Sequence, residues 1–106
     1  MTEQLVQQVK RKLNITWEDE ETEARVHEIV EDVGPWLIHK LGIPDPEYDF
    51  SAPGTERDLY LSCCLYEWNH IPRDEWEENY KHTIAVVRSQ HEVEYYLKKQ
   101  EAEANA

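Results

Sequence analysis

The stretch from Leu59 to Trp68, LYLSCCLYEW, constrains this chain more than any other. On a helix advancing about 100° per residue, Leu59, Tyr60, Leu61, Cys63, Cys64, Leu65, Tyr66 and Trp68 point nearly all the way round, and only Ser62 and Glu67 interrupt them. A helix that is apolar on every side has to be surrounded. The stretch therefore predicts the central rod of a helical bundle, with Leu61, Leu65 and Trp68 near-fully buried. It is far too short to cross a bilayer, which takes about 20 residues.

The other segments read as elements that cover this rod. Residues 3–13 form a short first helix, with Leu5, Val6, Val9 and Leu13 on one face and Gln7, Gln8, Lys10 and Arg11 on the other. Thr16 offers an N-cap to a second helix over 17–41, with Asp19 as its capping-box partner. Glu18, Asp19, Glu20, Glu21 and Glu23 crowd its opening turns, where negative charge opposes the helix dipole favourably. Its apolar stripe is Val26, Ile29, Val30, Val33, Trp36, Leu37 and Leu41. Pro35 has no N–H for the Glu31 carbonyl, which predicts a kink or local break, and Gly42 is placed to end the helix in a left-handed conformation.

Residues 43–54, IPDPEYDFSAPG, are a proline-rich connection, and long loops in compact domains are often functional. Tyr48 and Phe50 are apolar residues on that loop; they either fold back onto the bundle or face a partner. Thr55 caps a third helix over 56–70, which Pro72 ends, and Asp74 caps a fourth over 75–100. The fourth helix carries two stripes. Trp76, Tyr80, Thr83, Ile84 and Val87 cover the rod, with His91 and Glu94 continuing that line. Val86, Gln90, Val93 and Leu97 form a second row roughly a quarter-turn away. The simplest use of a spare apolar row is another chain. The expected architecture is thus all-α, a small bundle of four main helices in a single domain over 1–98, with a polar, frayed tail over 99–106. Its core is Leu61, Leu65, Trp68, Val30, Val33, Leu37, Trp76, Tyr80, Ile84 and Val87.

Charge limits the partners. Twenty-three acidic against 11 basic side chains give a net charge of −12. Wrapping a nucleic-acid backbone relies on Lys and Arg displacing counterions, so no measurable duplex binding at physiological salt is expected. A protein that lets DNA pass without holding it remains compatible. Cys63 and Cys64 are adjacent, cannot meet disulfide geometry without strain, and read as small buried hydrophobes in a reducing compartment. No N-terminal apolar run resembles a signal peptide, and no run of about 18 apolar residues exists, so a soluble cytoplasmic product without a membrane partner is expected.

Chemistry finds little support. Glu67 and His70 make a single Glu-x-x-His, whereas a di-iron bundle needs two such motifs and two further inward glutamates. A buried Glu67 needs a donor, for which Arg88, Lys81 and His82 are candidates. Asp45, Glu47, Asp49, Ser51 and Glu56 match part of a calcium-loop pattern, but Phe50 stands where the sharp turn needs Gly. There is no Gly-x-Ser-x-Gly elbow and no phosphate-cradling glycine loop. No catalytic residue, metal or cofactor is expected, and the residues by themselves stop at a helical interaction domain.

The order of elements, with Leu65-Tyr66-Glu67-Trp68-Asn69 closing the rod and Trp76-Glu77-Glu78-Asn79-Tyr80 opening the long helix, resembles the head-tail connector (adaptor) proteins of tailed bacteriophages and related prophages. The resemblance runs from about Val6 to Lys98. It implies a structural virion subunit, made in the host bacterial cytoplasm, that assembles into a ring of about a dozen copies. Such a ring docks beneath the portal protein, extends the DNA channel and presents a platform to a tail-completion or stopper protein. DNA passes through without specific binding. Val86, Gln90, Val93, Leu97, Tyr48 and Phe50 are then the candidate contacts with a neighbouring copy or the portal. A small acidic helical regulatory module of phage or prophage origin, binding a host or phage protein through the same stripe, is the alternative.

Overall fold

The computed structural model describes residues 2–104, which form four helices and no strand: α1 (Thr2–Lys12), α2 (Glu20–Lys40), α3 (Thr55–Trp68) and α4 (Arg73–Ala104). Helix α3 packs against all three others, and α1 also packs on α2. The core is one cluster. Val6 and Val9 enter from α1, Val26, Val30, Val33 and Leu37 from α2, Tyr60, Cys63 and Cys64 from α3, and Trp76, Ile84 and Val87 from α4. Burial of that apolar surface, rather than helix propensity, holds the four helices together.

The helices begin where side chains or prolines define an entry. Asp19, not Thr16, caps α2: its extended backbone lets the carboxylate accept from the Thr22 N–H at 3.2 Å. Residues 17–19 are therefore not helical. Helix α3 begins at Thr55 after Gly54, which has no side chain to cap it, so Thr55 is its first helical residue rather than its cap. Helix α4 begins at Arg73, directly after Pro72, and takes Asp74 into its first turn, where the charge is favourable without serving as a cap.

Three helices end in the same way. Asn14, Gly42 and His70 each adopt a left-handed backbone, with φ of 59°, 65° and 59°. The following Ile15, Ile43 and Ile71 donate their N–H groups to the carbonyls of Lys10, Ile38 and Tyr66. This is the Schellman closure, in which an apolar residue after the left-handed one folds back over the last turn. Ile15 and Ile43 are buried accordingly.

Two expectations are corrected here. Of the kink or local break expected at Pro35, the break is absent: α2 is helical from Glu20 to Lys40 with Pro35 inside it. Glu31 and Pro35 both lie on its exposed side, so water can serve the carbonyl that proline leaves without a donor. Nor is α3 surrounded. Leu59, Tyr60, Ser62, Cys63 and Cys64 are buried, but Leu61, Leu65 and Trp68 are only half-buried. Three neighbours cover α3 on three sides and leave one strip facing outward. Tyr80, expected in the core, is likewise half-buried, at the edge of an aromatic cluster with Trp76 and Tyr66.

Helix α4 continues through Ala104, past the point at which a frayed tail was expected to start; residues 105–106 of that tail lie outside the described residues. At about 1.5 Å per residue its 32 residues run for about 48 Å, which sets the long axis of a molecule measuring 54 × 29 × 19 Å.

Candidate interaction surface

Helix α4 has two functions along its length. Its first half buries Trp76, Ile84 and Val87 against the bundle. From Glu92 onward every described side chain is exposed. Val86, Gln90, Val93 and Leu97 share an arc of about 60° on the outer side. Val86 is 42%, Val93 54% and Leu97 57% exposed. Tyr95 and Tyr96 are exposed too, on other faces of the same turns. Scattered apolar residues are ordinary on a surface, but three aligned on a protruding helix form a patch without a cover.

The proline-rich loop does not join this patch as a unit. Phe50 is buried, stacked on Tyr60 with ring centroids 4.8 Å apart, so its candidacy as a contact is withdrawn: the ring belongs to the core. Tyr48 is half-buried. It packs edge-on to Phe50 and His91, and its hydroxyl donates to Glu56 at 2.9 Å. Partial burial, then the Glu56 carboxylate, push its phenol up to about 12. With Ile43, Pro44, His91 and Tyr95 it lines a shallow cleft of about 280 Å³ between the loop and α4.

The acids of that loop are engaged locally. Asp45 accepts from the Glu47 N–H, and Asp49 accepts from both the N–H and the hydroxyl of Ser51, which hold its carboxyl below the usual range. Among the described residues no three His, Cys, Asp or Glu side chains converge as a metal-ligand set. Glu67 finds its donor in Arg73, not in Arg88, Lys81 or His82. Arg73 in turn lies over the Trp36 ring. Burial pushes the Cys63 thiol up to about 12, and Cys64 is raised for the same reason, so neither is a thiolate near neutrality.

Two features of α3 escaped the sequence reading. Arg25 reaches from α2 to the C-terminal end of α3. It donates to the Trp68 carbonyl at 2.8 Å, contacts His70 Nε2 at 3.1 Å, and lies 4.5 Å from the centre of the Trp68 ring. At the other end, Arg57 joins Gln8, Arg11, Lys12, Asp58 and Leu61 around a cleft of about 300 Å³. The Arg57 Nε and Gln8 Oε1 atoms there are buried and make no hydrogen bond. Nothing in the spacing of single basic residues announces such a grouping, because it arises from two helices crossing.

No protein-family model, no curated protein and no solved structure matches the chain.

Proposed function

We propose that this chain is a subunit of a head-tail connector ring: a structural protein that self-assembles beneath a portal, extends the DNA channel and links capsid to tail. The observation that carries the reading is the outer stripe of α4, where Val86, Val93 and Leu97 stand exposed on a helix that outruns its own bundle. A subunit that had finished folding would leave such residues in water to no benefit; a neighbouring copy or the portal gives them a place. The resemblance in the rod and at the start of α4 supplies the kind of assembly. The net charge of −12 suits a channel through which DNA slides, since a wall of carboxylates repels the phosphate backbone.

The test is a double change, Val93→Asp with Leu97→Asp. Both positions are exposed, so helical content and melting temperature should stay nearly as in the wild type. Assembly at high concentration should be abolished, because two carboxylates would be desolvated against an apolar surface without partners. Normal assembly of the variant would place the contact elsewhere. A wild type that stays monomeric while binding a single phage or host protein would favour a regulatory module.

A further inference from the structure

We propose that Arg88 and Tyr48 brace the second half of α4 against the bundle and so set the direction in which its outer stripe points. The inference rests on the self-assembly proposed above and names the residues that position its contact surface.

The brace begins at the C-terminal end of α2. A helix leaves its last carbonyls without donors from its own turns. Here the N–H groups of Leu41, Gly42 and Ile43 reach the carbonyls of Leu37, His39 and Ile38. The Lys40 carbonyl is taken instead by Arg88 of α4, whose guanidinium donates to it at 3.0 Å. A cation suits this place, because the C-terminal end of a helix carries partial negative charge. The Arg88 Nε also donates to Glu92, one turn on in α4, at 3.3 Å. Gly42 makes room for the arm: a Cβ there would stand 3.3 Å from Arg88 Cγ. Earlier on the same side of α4, Glu77 pairs with the Lys40 ammonium at 2.9 Å. Helix α4 thus holds the end of α2 at two points.

Tyr48 is the second strut. Its ring meets His91 edge-on, with centroids 6.2 Å apart, just beyond Arg88 on α4. Its own position is fixed from behind, by its hydroxyl on Glu56 of α3 and its ring edge-on to the buried Phe50.

These ties matter because core packing stops short of them. Val87 is the last buried side chain of α4 among the described residues. Beyond it, the cleft of about 280 Å³ opens between the loop and α4, so no packed apolar layer joins the two there. Arg88 and His91 lie on the side of α4 opposite Val86, Val93 and Leu97, at about 100° per residue. Holding that side turns the stripe outward and fixes its angle to the body.

The test reads a distance inside the full chain. Spin labels are placed through Glu31→Cys on α2 and Lys99→Cys on α4, both at exposed positions away from the stripe. Cys63 and Cys64 are buried and should stay unlabelled. Dilution with unlabelled chain keeps the double electron–electron resonance signal within one subunit. The parent should give one narrow distance distribution. Arg88→Met should broaden it with melting nearly unchanged, since Arg88 is exposed and Trp76, Ile84 and Val87 keep their packing. Adding Tyr48→Leu, which keeps an apolar side chain against Phe50, should broaden it further. Both variants should then need more protein than the parent to assemble. Distributions as narrow in both variants as in the parent would overturn the brace. Broadened distributions with unaltered assembly would overturn its role in aiming the stripe. A wild type that never self-associates would contradict the connector reading, while the distance still decides the brace.

Discussion

Tyr60, Cys63 and Cys64 lie inside the bundle with their protons held in place. The Tyr60 hydroxyl donates to the Val30 carbonyl at 3.0 Å, and burial raises its pKa and those of both thiols. The unfolded chain would lose these protons near 9.0 for the thiols and 10.0 for the phenols, whereas the folded chain keeps them. Their contribution to stability is therefore complete below about pH 9 and is lost as the pH rises towards the folded values, because the unfolded state then binds fewer protons. Tyr48 acts in the same sense up to about 12. Alkaline titration should show the phenolate absorbance of Tyr48 and Tyr60 appearing together with the loss of helical circular dichroism. All six tyrosines ionising near pH 10 with the helices intact would contradict this packing. The sequence marked Cys63 and Cys64 as buried hydrophobes because an apolar run surrounds them. It left Phe50 open between core and partner, since a single aromatic on a loop has no periodicity to orient it.

Among the elements, all four helices were legible from their apolar spacing, and their ends were less so. Gly42 and Asn14 announce a left-handed turn through their identity; His70 adopts the same backbone with no such signal, its turn closed by the Ile71 N–H on the Tyr66 carbonyl. The apolar rod misled for a physical reason. Apolar spacing counts which directions of a helix avoid water, but not how many neighbours the chain has available to cover them. Here three neighbours are available, and the strip of Leu61, Leu65 and Trp68 stays partly open. The energetic consequence can be measured by comparing two truncations. Leu37→Ala, at a wholly buried position of α2, should cost ~2–5 kcal/mol by lost transfer energy and a cavity. Leu65→Ala should cost only about 1–2 kcal/mol, because part of its side chain is in water already. Equal losses in chemical denaturation would mean that the α3 face is closed in solution.

The whole molecule is an elongated, acidic bundle whose last helix runs on uncovered at one end. The all-α architecture follows from the sequence pattern. How far α4 outruns the bundle does not, because that depends on how the four helices are placed in space. In the proposed connector, a contact between unlike surfaces of neighbouring copies closes into a ring when its rotation permits. That closure is the central claim, and the mass of the assembled species measures it most directly. Native mass spectrometry of the wild-type chain at high protein concentration and low salt should show a single closed species of about a dozen copies, with monomer as the other main peak. A protein that remains monomeric at every concentration, or one that stops at a dimer, would contradict it.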